Sequence, residues 1–149
     1  MSRKTNDKAI AAATELTLTP LRKDGKIWSH IRKKWLDETP EESVRQGYLK
    51  TLVEEYGFSL DQIEEEVSVT GRGSGDARAD FLIWRTTQDK RDSRHAFIVV
   101  ECKADNVTID REVYKQGMNY AQYEQARFFV THNTRETKYW KVDLARAQL

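Results

Sequence analysis

The chain has 149 residues, which fits one domain with a core of its own. Its 25 Lys and Arg against 24 Asp and Glu leave a net charge of +1, which argues against a histone-like blanket DNA binder. No apolar run approaches the roughly 18 residues of a membrane span, and the single Cys102 excludes an internal disulfide and a Cys-based zinc site, so a reducing, cytoplasmic setting is expected. The neutral total is a sum of blocks: residues 1–35 balance to +6, 36–70 to −8 and 71–149 to +3.

Residues 1–25 are polar, carry Pro20 and end on a turn at Asp24-Gly25, and are expected to form a loosely docked or partly disordered arm, with the main domain over 26–149. Residues 27–36 (IWSHIRKKWL) space their apolar positions as a helix or an irregular apolar clamp. Thr39-Pro40-Glu41-Glu42 then reads as a capping box with Pro at the first helical position. Val44, Tyr48, Leu49, Leu52, Val53 and Tyr56 give the helix its apolar stripe, and Gly57 its stop. A strand over 62–70 and a flexible turn at Gly71–Gly75 follow.

Residues 79–85 (ADFLIWR) and 95–103 (HAFIVVECK) are apolar on both faces, as central strands are, and a charged connection longer than a tight hairpin joins them. Residues 110–125 read as a helix with Val113, Tyr114, Gly117, Met118 and Ala121 inward. A short strand over 127–131, a turn at 133–136 and an edge strand over 138–142 complete a mixed α/β order.

Pairing the two central strands symmetrically about their connection sets Leu82 opposite Val99 and Asp80 opposite Glu101. Lys103, two residues beyond Glu101, points to the same face. Two carboxylates this close repel unless a cation lies between them, and hard oxygen ligands suit Mg²⁺ or Mn²⁺. Such an ion can polarise a phosphate and acidify a bound water, while a lysine balances charge developing on the phosphate. The trio therefore points to metal-assisted phosphodiester hydrolysis. The same residues also suit a plain salt-bridge cluster at a sheet end.

Asp80 followed by Glu101-Cys102-Lys103 resembles the PD-(D/E)xK nuclease signature. The segments VRQGYLKTLVEEYGF (44–58), ARADFLIW (77–84), FIVVECKA (97–104), QGMNY (116–120) and FFVTHNTRETKYWKV (128–142) resemble the N-terminal nuclease domain of type I restriction enzyme R subunits. The resemblance covers about residues 40–142. It implies a restriction-endonuclease-like mixed sheet with an α-β-β-β-α-β core, and a divalent-metal-dependent DNA endonuclease. It also implies metal ligation by Asp80, Glu101 and the Cys102 backbone carbonyl, and Lys103 as catalytic lysine. Gln116 and Tyr120 match the accompanying Q-x-x-x-Y element. Many superfamily members add a Glu from the first helix; Glu42 stands in roughly that place, although the capping box accounts for it as well. Glu54, Glu55 and Glu66 read as solvated.

The sequence departs from the family's pattern at Ala79, where Pro is usual, and at Thr131-His132-Asn133-Thr134, where Thr-Asn-Gly is usual. Arg72, Arg78, Arg111 and Lys115 are candidates for phosphate contacts, which position DNA without reading its sequence. The Trp residues read as packing, and the three His as scattered. No G-x-x-x-x-G-K-[ST] loop occurs, so ATP enters only if a motor lies elsewhere, and the chain is expected to be an excised domain, a stand-alone relative or the front of a longer protein. Expected partners are double-stranded DNA and other restriction-modification subunits or a motor or methylase domain, with no membrane. The alternative is a catalytically silent module for DNA binding or for docking, with the acidic block 36–70 as the docking surface.

Overall fold

The computed structural model describes residues 18–68 and 78–144. The turn at Gly71–Gly75, Arg72 and the first 17 residues of the expected arm lie outside them. Among the described residues, no helix is long and apolar enough to cross a membrane.

The chain opens with a small antiparallel sheet, β1 (Arg22–Lys23), β2 (Lys26–Ser29) and β3 (Lys34–Asp37). Asp24 and Gly25, both at positive φ (52° and 74°), make the two-residue turn between β1 and β2, as the Asp-Gly pair predicts. Residues 27–36 are therefore a hairpin and not the helix or irregular clamp expected. Lys33, at φ 56°, turns the chain, and Trp28 lands opposite Trp35 with ring centroids 5.3 Å apart. The apolar spacing of this segment fits a helix equally well, and the non-glycine turn gives no sequence warning.

Helix α1 (Pro40–Glu54) starts where expected: Thr39 Oγ1 accepts the Glu42 amide at 3.1 Å, and Pro40 stands in the first turn. Gly57, at φ 79°, follows the helix end in the left-handed region that favours glycine. A one-turn 3₁₀ helix (Leu60–Gln62) leads into β4 (Ile63–Ser68), followed by β5 (Arg78–Ile83), a short α2 (Thr87–Arg91) and β6 (Ile98–Cys102). Then come α3 (Arg111–Tyr123), β7 (Phe128–Asn133) and β8 (Glu136–Lys141). The order thus differs from the α-β-β-β-α-β expected: three strands precede it, and α2 interrupts the connection between the central strands. Thr86 caps α2 by accepting the Asp89 amide at 3.0 Å, a signal hidden among the charges of that connection.

The main sheet runs β4-β5-β6-β7-β8. Only β6 and β7 are parallel, joined across one face by α3. Strand β6 is central and β8 an edge, as their sequences suggest. Val44, Tyr48, Leu49 and Leu52 of α1 pack on Ile63, Phe81, Ile83, Val100, Cys102 and Val130. Met118 and Ala121 of α3 pack on Leu82, Val99 and Phe129 on the other face. Alternate residues of β5, β6 and β7 thus feed two cores, which is why these strands read as continuously apolar. Gly117 lets α3 sit directly on the sheet: a Cβ there would stand 1.8 Å from Cζ of Phe129.

Strand β7 runs two residues further than the sequence suggests, so His132, just beyond the expected strand, lies within it. Its ring stacks on Tyr48 at 3.9 Å, and burial pulls its pKa down to about 4. Asn133 Oδ1 accepts the amides of Arg135 and Glu136, both at 2.9 Å, closing the β7–β8 turn with a side chain where the family's pattern has a glycine.

Candidate functional site

The central register holds as predicted through Phe81–Val100, Leu82–Val99 and Ile83–Ile98. At Asp80 the ladder stops. The β4–β5 ladder skips one pair as well, between Glu65–Phe81 and Val67–Ala79, where Glu66 and Asp80 face each other. Glu66 has φ 58°, a left-handed conformation that costs a non-glycine residue about 1 kcal/mol or more. The pleat reverses across this gap. Phe81 and Ile63 belong to the α1-side core, whereas Ala79 and Val67 pack in the α3-side core. The reversal swings Asp80 and Glu66 towards α1, where both meet Arg45.

Arg45 is buried and donates to Asp80 Oδ1 from Nε at 3.0 Å and Nη2 at 2.6 Å, to Glu42 Oε1 from Nη1 at 2.8 Å and to Glu66 Oε1 at 2.5 Å. Asp80 Oδ2 accepts the Cys102 amide at 2.7 Å, so both oxygens of Asp80 are engaged. Arg32 joins Glu42 at 3.1 Å to Glu65 at 2.5 Å, and Glu65 also accepts from Ser29 at 2.6 Å and Gln46 at 2.8 Å. Glu66 and Glu42 are therefore structural partners of Arg45, which corrects the reading of Glu66 as solvated. The capping box is half formed: the Glu42 carboxylate turns to Arg45, Arg32 and Gln46, while the Thr39 amide donates to Asp37 O at 3.0 Å. Glu54 pairs with Lys50 at 2.8 Å, and Glu55 is exposed.

Beside this network Glu101 Oε1 pairs with Lys103 Nζ at 3.2 Å. Glu101 Oε2 is buried and has no hydrogen-bond partner. Burial, followed by the charge of Asp80, drives the Glu101 carboxyl up to about 8, with Lys103 pulling against it. Burial also raises Asp80, although Arg45 and the Cys102 amide oppose it. For Lys103, burial disfavours the ammonium, but Glu101, Glu41 and Asp80 outweigh it and its pKa rises. For Arg45, burial is likewise outweighed, by Asp80, Glu42 and Glu66. The charge of Glu41 is felt at Asp80, Glu101 and Lys103 alike.

Among the described residues no three His, Cys, Asp or Glu side chains are spaced to enclose a metal ion. The donor chemistry nevertheless fits a hard divalent cation. A buried carboxylate oxygen lacks any partner, and six carboxylates (Glu41, Glu42, Glu65, Glu66, Asp80 and Glu101) face three cations (Arg32, Arg45 and Lys103).

The other candidates stand apart. Gln116 is exposed and Tyr120 half-buried on α3, and neither hydrogen-bonds to Asp80, Glu101 or Lys103. Arg78 is exposed and 3.6 Å from Glu66 Oε2. Arg111 and Lys115 are exposed on α3. Cys102 is buried in the α1-side core, where burial raises its thiol well above the ordinary value and leaves it inert.

A search of curated proteins finds no match to the chain. A family model does match, the one described as Type I restriction enzyme R protein N terminus (HSDR_N), over residues 40–149. That span takes in α1, every strand of the main sheet and all three residues of the Asp80, Glu101 and Lys103 constellation. The chain belongs to the family of type I restriction enzyme R protein N-termini.

Proposed function

We propose that the chain is a divalent-metal-dependent DNA endonuclease domain with a restriction-endonuclease-like fold, which hydrolyses phosphodiester bonds at Asp80, Glu101 and Lys103. The observation that carries this reading is the buried, unpartnered Glu101 Oε2 beside a second buried carboxylate. Asp80, Glu101 and the Cys102 carbonyl would hold the ion, with positions left open for water and phosphate. When bound, Mg²⁺ or Mn²⁺ supplies Lewis-acid activation of the phosphate and of a water. Lys103, tied to Glu101 and reaching solvent, orients the nucleophilic side and balances negative charge that grows on the phosphate. Gln116 and Tyr120 are assigned supporting roles towards the nucleophile and a phosphate, and Arg78, Arg111, Lys115 and Arg72 phosphate contacts. The family supports DNA as substrate and a restriction-modification complex as setting; double-stranded DNA and a cytoplasmic location complete the proposal.

One observation favours a second reading, a catalytically silent module: Arg45 and the Cys102 amide already occupy both oxygens of Asp80. Calorimetry with Mn²⁺ separates the two. The endonuclease reading expects binding in the wild type and none in an Asp80→Asn/Glu101→Gln double variant of retained fold. It further expects plasmid nicking in Mn²⁺ that falls by at least about a hundredfold in Lys103→Ala. Wild-type protein that binds no Mn²⁺, or nicking unchanged in Lys103→Ala, sinks that reading and leaves the silent module.

A further inference from the structure

The small N-terminal sheet lies before the matched span of residues 40–149 and reaches the candidate site only through Ser29 and Arg32. Residues 22–37 hold six Lys or Arg and two Asp, which makes the sheet the basic neighbour of an acidic centre. It is fastened to the α1 end that faces that centre. Arg22 Nη2 donates to Ser43 Oγ at 3.1 Å, Arg32 bridges Glu42 and Glu65, and Ser29 donates to Glu65.

Its two faces differ. Ile27 and Ser29 are fully buried. The register pairs Lys23 with Lys26 and Trp28 with Trp35, so these four share the opposite, outward face. Lys23 and Lys26 are exposed on this face, where Lys26 also meets Asp37 at 2.5 Å; Lys34 pairs with Ser29 and belongs to the other face. Trp35 is 40% exposed and is braced edge-on by Trp28. A large ring left in water beside lysines is the arrangement with which proteins hold a nucleic-acid strand. The ring meets a base, and the ammonium groups meet phosphates. The acidic cluster repels a phosphodiester backbone by itself, and a basic face fixed beside it offsets that repulsion.

We infer that the outward face of β1–β3 is a DNA-strand platform, with Lys23 and Lys26 on phosphates and Trp35 under an unpaired base. This inference rests on the reading of DNA as the substrate. It extends the contact surface beyond residues 40–149 and replaces the view of Trp35 as packing.

Fluorescence anisotropy with labelled single-stranded and duplex oligonucleotides, in chelator so that nothing is cut, tests it across a salt series. Wild-type protein is expected to bind the single strand. Lys23→Glu/Lys26→Glu is expected to weaken that binding at least about tenfold and to flatten the slope of log affinity against log salt by about 1.4. Trp35→Ala is expected to weaken it about tenfold. Circular dichroism confirms that each variant folds; both lysines are exposed, so their substitution spares the core. Affinity and salt slope unchanged in the lysine variant, or affinity unchanged in Trp35→Ala, overturn the platform while the metal-site reading stands. Wild-type protein that binds neither oligonucleotide overturns the platform and the DNA reading together.

Discussion

Arg45 grips Asp80 by a single oxygen, Nε and Nη2 both donating to Oδ1, although the two residues lie 35 positions apart and on different elements. The opposite oxygen of Asp80 takes a backbone amide from the neighbouring strand. Three donors thus fix the plane of the carboxylate most central to the site.

Removing one partner of a buried ion pair leaves the other charged and unpaired, at a cost of about 3–5 kcal/mol. Arg45→Ala strands Asp80, Glu42 and Glu66 at once and is expected to fall in that range by urea unfolding. Arg45→Lys keeps the charge but cannot donate from a planar fork to three carboxylates, so an intermediate loss is expected. A loss below about 1 kcal/mol in Arg45→Ala would show that the network contributes little to the fold.

Glu101 makes stability depend on pH with a definite sign. Its carboxyl is raised from an ordinary 4.5 to about 8, chiefly by burial. Between those values the folded chain holds a proton that the unfolded chain has released. The contribution is therefore complete below the ordinary value and is lost as pH rises through about 8, by at most about 1.4 kcal/mol per pH unit. Asp80, also raised by burial, acts in the same direction. Urea midpoints taken in chelated buffer at successive pH values should fall from acid towards pH 8, and Glu101→Gln should flatten the profile. Under the metal reading, Mn²⁺ flattens it too, because the cation takes the place of the proton. A wild-type profile that is level without metal would count against the buried, unpartnered carboxylate.

Gly117 brings α3 onto the sheet, and a methyl group there collides with the Phe129 ring, itself fully buried. Gly117→Ala is expected to destabilise by about 1–3 kcal/mol, although alanine is the better helix former. The companion Gly47→Ala meets nothing within 4 Å in α1 and should stabilise, by about 0.5–1 kcal/mol. Thermal melts of the two variants should move in opposite directions.

What could be read from residues alone follows local and periodic signals. The cap at Thr39, the stop at Gly57, the Asp-Gly turn and the Leu82–Val99 register each rest on short-range geometry. Asp80, Glu101 and Lys103 stood out because charges at the ends of apolar strands break a pattern. Arg45 and Glu66 did not. A helix arginine and one of three consecutive glutamates look solvated until the fold brings them to Asp80, and the pleat reversal that does so depends on a left-handed Glu66 with no glycine to announce it. Glu42 posed the same difficulty: only tertiary packing decides whether its carboxylate closes the cap or turns inward, and here it turns to Arg45, Arg32 and Gln46.

The bond from the Cys102 amide to Asp80 Oδ2 stands where the ladder between β5 and β6 has ended. One backbone proton of the central strand is therefore held by the carboxylate itself. Its nuclear resonance frequency and its rate of exchange with heavy water become a direct gauge of that carboxylate, whether it is ionised, protonated or drawn to another ligand. Occupancy of the site can thus be followed at one resolved amide, without turnover.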